Sequence, residues 1–233
     1  MIASFTVDVK QDCPPYLSTW RGIEEGMPRL LRLLDEEGVR ATCFTTGEVA
    51  RRYPELLRSI VRAGHELGCH GDTHRSFAEM AADDADGELR AASEALRAFA
   101  PVTSFRAPYL RFPAGFVELL GRHGYAIDSS EGRHKTPGVR VHRSHGVLRI
   151  PASITSSTLR WPEMVRNLLL ARLRPPAVLF VHPWEFVDLR RERLRIDCRF
   201  RTGDAALGAT RSALRFLKAR GAQFVPMKDC AVA

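Results

Sequence analysis

No stretch of the 233 residues approaches the roughly 18 uninterrupted apolar residues that a membrane-spanning helix needs, so a transmembrane protein is not expected. Also lacking is a leading basic segment followed by an apolar run and a small-residue cleavage site. The chain starts at Met1-Ile2-Ala3-Ser4-Phe5, which already reads as a strand, and a cytoplasmic location is the expectation. The five cysteines (Cys13, Cys43, Cys69, Cys198, Cys230) are odd in number and lack CxxC spacing, which favours reduced thiols over a disulfide framework. No block of like charge accompanies the formal net charge of +8, and the arginines are scattered. Nucleic acid is therefore not an expected partner, whereas solubility, anionic substrates or phosphate-bearing head groups all suit a mildly basic surface.

What is present is an alternation. Phe5 to Val9 reads as a strand, and Met27, Leu30, Leu31 and Leu34 recur at helical spacing up to Gly38. The pattern continues with strands at 39–45, 66–70, 103–106, 125–128, 177–182 and 222–225. Helices are expected at 54–61, 83–99, 113–123, 162–174 and from Asp204 to Arg220. Residues 129–151 are polar and rich in Gly, His and Arg, with a short hairpin expected around 147–150. Six or seven strand-plus-helix units without a linker predict one α/β domain over 1–233, a distorted (β/α) barrel of six or seven parallel strands.

Asp8, His70, Arg106, Asp128 and His182 all fall at carboxyl ends of these strands, the face that carries the active site in such barrels. His70 and His74, four residues apart beside the carboxylate of Asp72, have the donor chemistry of half a metal site, since zinc takes neutral imidazole and carboxylate ligands. Cys69, at the end of a buried strand, is expected to pack rather than ligate.

Taken together, these residues resemble the polysaccharide deacetylase family, also called carbohydrate esterase family four or the nodulation-deacetylase homology domain. The resemblance runs from Phe5 to about Met227. Its motifs match Thr6-Val7-Asp8, the His70 to His74 pair, Arg106-Ala107-Pro108-Tyr109, Asp128 and the strand ending at His182, which Pro183-Trp184-Glu185 follows. The resemblance implies hydrolysis of an N-acetyl group on an amino sugar by metal-activated water. It implies Asp8 as general base, Arg106 holding Asp8 ionised, and His182 protonating the leaving amine with Asp128 orienting its ring. The Tyr109 amide would stabilise the oxyanion, Trp184 would wall the substrate, and one divalent ion would be bound, zinc first with cobalt or nickel as alternatives.

One departure stands out. A variant of the first motif spaces its two acids as Asp-x-Asp, whereas this chain reads Asp8-Val9-Lys10-Gln11-Asp12, and an ammonium cannot coordinate a cation. Asp12 is the nearest replacement, so Asp12, His70 and His74 are the expected metal ligands. Related readings are a deformylase or amide hydrolase acting on a lipid-linked or non-sugar compound, and a metal-poor glycan-binding pseudoenzyme. Arg166, Arg172 and Arg174 around Leu168-Leu169-Leu170 leave peripheral membrane contact open. The sequence does not specify an oligomeric state.

Overall fold

The computed structural model describes residues 1–230. The chain opens on β1 (Ile2–Val9), a strand buried along nearly its whole length, and a turn of wide helix at 22–26 leads into α1 (Met27–Glu36). There follow β2 (Thr42–Thr45), α2 (Gly47–Arg52), α3 (Pro54–Arg62), β3 (Glu66–Cys69), α4 (Ala82–Arg97) and β4 (Ser104–Phe105). Next come α5 (Val117–Arg122), β5 (Ile127–Asp128), the hairpin β6 (His142–Ser144) and β7 (Val147–Arg149), and α6 (Glu163–Leu170). The chain finishes with β8 (Ala177–Val181), α7 (Ile196–Arg199), α8 (Asp204–Ala219) and β9 (Gln223–Phe224).

The strands form one curled sheet in the order β6-β7-β5-β4-β3-β2-β1-β8, with β9 pairing the start of β1. All of these pairings are parallel except β6 with β7. Past β7 the chain reaches the far edge of the sheet. There Ser153 N donates to Val178 O at 2.8 Å and Val178 N donates to Ser153 Oγ at 2.9 Å. The gap beside β8 is thus bridged by a few bonds at one corner rather than by a ladder. The expected α/β barrel is met as a curled half-barrel of mostly parallel strands.

Alternation along β1 sorts two layers, because successive side chains leave opposite faces of a strand. Phe5, Val7 and Val9 join Leu30, Leu33, Leu67, Leu89 and Leu214 in the main apolar core, where hydrophobic burial is the dominant stabilising term. Thr6 and Asp8 share the inner face with buried Thr42, Glu66, Ser104 and Arg106. This inside is polar but satisfied: Glu66 accepts from Thr42 Oγ1 at 2.6 Å and from Ser104 Oγ at 2.5 Å. Barrel interiors of this kind fix strand register, since a polar group left unpaired inside costs about 1–3 kcal/mol.

Helix α6 is inverted relative to expectation. Arg166 is only 2% exposed, with its guanidinium donating to Ala209 O at 2.9 Å and Ser212 Oγ at 2.7 Å, while Met164 and Leu168 are 76% and 52% exposed. Arg166 is therefore a tie between α6 and α8, not a surface arginine lying over leucines. It follows that Leu168→Ser should move the melting temperature by no more than about 1–2 °C, as for other surface substitutions. Leu214→Ala should cost about 2–5 kcal/mol. Thermal melts of the two variants side by side check this. Among the described residues no helix is long and apolar enough to cross a membrane.

Candidate active site

Strand ends bring Asp8, His70, Arg106 and His182 together. Arg106 is fully buried, its guanidinium lying over the Phe44 ring at 4.3 Å and facing Phe180 at 5.4 Å. Its Nη1 donates to Asp8 Oδ1 at 2.8 Å and to Thr6 Oγ1 at 2.7 Å, while Nη2 donates to Ser129 Oγ at 3.0 Å. Burial alone would raise the pKa of Asp8. Burial is the largest single influence, but the charge of Arg106, His70 and His182 and the Arg106 hydrogen bond together outweigh it and hold the carboxyl below its ordinary value. Asp8 is an anion fixed in place by a charge-assisted bond, as expected for a base.

Behind His182 the orienting group differs from the expected one. His182 Nδ1 lies 3.0 Å from Glu185 Oε1, which also accepts the His182 backbone N–H at 2.9 Å, and Glu185 in turn pairs with buried Arg160 at 2.8 Å. A carboxylate only accepts, so Nδ1 carries the hydrogen and Nε2 faces Asp8 Oδ2 at 3.9 Å. Trp184 stacks on the imidazole at 5.0 Å between centroids. Asp128, assigned to orient His182 from the motif order, is occupied elsewhere. It binds Arg149 Nε at 2.7 Å and accepts the Ser130 N–H and hydroxyl. The turn after Pro183 returns the chain on itself within three residues, so an acid at position 185 reaches the ring when one on β5 does not. Accordingly Glu185→Gln should lower turnover at least tenfold, on the pattern of orienting carboxylates behind catalytic imidazoles. Asp128→Asn should leave turnover of the folded protein unchanged, and steady-state kinetics on both variants decides between them.

The histidine pair lies across the same space. His70 Nδ1 sits 2.7 Å from the Arg106 carbonyl, which can only accept, so the neutral ring keeps its lone pair on Nε2. Burial pushes His70 down to about 4 and His74 well below its ordinary value, so both rings are neutral near pH 7. His74 stands in the left-handed region at φ 59° against the Tyr109 ring, 4.9 Å away, and its Nδ1 is buried without a partner among the described residues. Tyr109 is half exposed at φ 60°, at the cavity edge.

A three-ligand metal site does not assemble from these residues. The carboxylate of Asp12, the expected third ligand, accepts the Gly22 N–H at 3.0 and 3.2 Å and the Thr19 hydroxyl at 2.8 Å, closing the loop after β1. The approach is so close that a Cβ on Gly22 would lie 2.5 Å from Asp12 Oδ1. Asp72, the other spare carboxylate, is held by both terminal nitrogens of Arg51 at 2.8 and 2.9 Å. Among the described residues no group of three His, Cys, Asp or Glu side chains is arranged to hold an ion. Asp12 is therefore a loop-closing residue, and the set Asp12, His70 and His74 is not brought together.

The cavity above these groups has a volume of about 330 Å³, within the ordinary size of a small-ligand site. Asp8, Lys10, His70, His74, Tyr109, His182 and Trp184 all line it. Glu185 and Arg160 went unassigned from sequence. Glu185 had one legible signal, its spacing of three from His182, whereas nothing in the sequence marks Arg160.

A family model described as polysaccharide deacetylase matches residues 8–127. A peptidoglycan deacetylase of Helicobacter pylori is 35% identical over 126 residues, which cover 52% of this chain and 42% of that relative. Six further curated relatives are likewise matched over less than two thirds of their length. Among solved structures, a family 4 carbohydrate esterase from Streptomyces lividans in complex with acetate superposes with a TM-score of 0.63 at 18% identity, covering 95% of this chain and 90% of that one. A CE4 family pseudoenzyme from Bacillus anthracis superposes with a TM-score of 0.66 at 18% identity, covering 98% and 64%. At these identities the structural likeness speaks to fold alone.

Proposed function

The chain belongs to the polysaccharide deacetylase family, and we propose that it hydrolyses the N-acetyl amide of an amino-sugar-containing substrate, releasing acetate and a free amine. One observation carries this reading: an ionised carboxylate and an imidazole nitrogen, 3.9 Å apart, face one cavity, each fixed from behind by a buried charged partner. Asp8 takes a proton from the attacking water, and His182 Nε2 delivers one to the departing nitrogen. Arg106 keeps Asp8 ionised and immobile, while Glu185 keeps the His182 ring turned with Nε2 inward. Holding both groups rigidly against a bound amide supplies the proximity part of the rate enhancement. Tyr109 and Trp184 form the cavity wall against which the sugar rests, since aromatic faces suit apolar faces of pyranose rings. The relatives named for peptidoglycan and chitooligosaccharide deacetylation point to β-linked N-acetylglucosamine as the first substrate to try.

A second reading, glycan binding without hydrolysis, is favoured by Lys10, whose ammonium faces the site. Acetate assays on N-acetylglucosamine oligomers separate the two. Hydrolysis gives acetate and free amine in equal amounts, whereas binding alone gives neither but retains a measurable affinity. Formate from N-formyl substrates would instead indicate the deformylase.

A further inference from the structure

Lys10 is 6% exposed, yet its side chain lines the cavity with Asp8, His70 and His74. An ammonium has three hydrogens to donate. The one hydrogen bond made by Nζ among the described residues runs to the neighbouring Gln11 carbonyl, at a long 3.3 Å. Around it stand two imidazoles, one whose Nδ1 is tied to the Arg106 carbonyl and the other with a buried nitrogen that has no partner among the described residues. Of the nearby carboxylates, Asp12 is turned onto Gly22, Asp72 is held by Arg51, and Asp8 is paired with Arg106. Two imidazoles with a lysine nitrogen beside them, where a third oxygen donor would be needed, make a poor seat for a cation, because an amine with hydrogens to donate cannot replace a carboxylate ligand.

We propose that Lys10 Nζ is the hydrogen-bond donor against which this site holds the acyl oxygen of its substrate, in place of a divalent ion. This rests on the hydrolase reading given above. Asp8 takes a proton from water, the water oxygen bonds to the acyl carbon, and the carbonyl electron pair moves onto the oxygen held by Nζ. The tetrahedral oxyanion then collapses, and the proton that Asp8 took from water passes by way of His182 Nε2, 3.9 Å away, to the departing nitrogen as the C–N bond breaks. No oxidant or further reactant is needed, and Lys10 serves as a preorganised donor to the developing oxyanion.

Metal content read independently of turnover provides the test. The full chain is dialysed against zinc, cobalt or nickel, desalted, and assayed by elemental mass spectrometry. Wild type should retain far less than one ion per chain, whereas Lys10→Asp and Lys10→Glu should each gain about one, completing a three-ligand site with His70 and His74. Circular dichroism confirms that each variant is folded. Chelator should leave wild-type acetate release unchanged, and Lys10→Met should lower it about 10²- to 10³-fold, as for loss of one oxyanion donor. Stoichiometric metal in wild type that is lost in His74→Gln would overturn the proposal. So would unchanged turnover in Lys10→Met, or Lys10→Asp and Lys10→Glu that both fold and remain metal-free. If wild type releases no acetate from any substrate, the hydrolase reading fails, and the metal measurements still decide whether Lys10 excludes the ion.

Discussion

Asp8→Asn is expected to lower kcat/KM by about 10²- to 10⁴-fold, the range for removing a positioned general base. The amide is close in size to the carboxylate and its oxygen can still accept from Arg106, so the loss reports proton transfer rather than collapse of the site. A second signature lies in the pH dependence. The folded pKa of Asp8 is below its ordinary value, because Arg106 and the nearby imidazoles outweigh the cost of burial. The base is therefore ready throughout the neutral and mildly acidic range, and the acid limb of kcat/KM should fall only below the ordinary carboxylate range. An acid limb near neutrality, or an Asp8→Asn variant with undiminished turnover, would remove Asp8 from the role of base.

Arg106→Met carries the largest expected effect on stability. Taking one partner out of a buried ion pair leaves the other charge uncompensated and costs about 3–5 kcal/mol. Here the substitution also deprives Thr6 Oγ1 and Ser129 Oγ of their shared donor. For a domain of this length the melting temperature should drop on the order of 10 °C. The loss should depend on pH. A depressed folded pKa means that the pair stabilises the fold above the unfolded pKa of Asp8, and that this contribution disappears as pH falls through the lower, folded value. The wild-type advantage over Arg106→Met should therefore be full at pH 7 and shrink in strong acid. A gap in melting temperature that persists unchanged below both pKa values would place the stabilisation in packing against Phe44 and Phe180 instead.

Strand positions were legible because the chain punctuates them. β1 and β8 are apolar, β-branched runs closed by reactive side chains, and α1, α4 and α8 have strong apolar periodicity with glycine or acidic boundaries. Two short elements, α2 and α7, were not separated from their surroundings, since six and four residues hold too few turns for a helical period to show. In α6 the exposed leucines and the inward Arg166 follow from hydrogen bonds to Ala209 and Ser212, distant partners that periodicity does not encode. At the site, Asp8, His70, Arg106 and His182 could be placed because each follows or ends a strand, and His74 because it lies four residues beyond His70. The roles of Asp12, Asp128 and Glu185 turned on which way loops bend: Asp12 folds back onto Gly22, Asp128 faces Arg149, and the turn at Pro183 delivers Glu185 to the imidazole.

Lys10 links the local departure in the first motif to the character of the whole site. It puts an amine where a variant of that motif has a carboxylate, while leaving base, acid and their buried partners in place. The most direct measurement is the yield of acetate and free amine from N-acetylglucosamine oligomers by wild-type protein stripped with chelator. The account predicts the two products in equal amounts, at a rate that added zinc does not raise and that Asp8→Asn lowers by at least about a hundredfold. Oligomer binding with no acetate, or acetate that appears only after metal is restored, would contradict it.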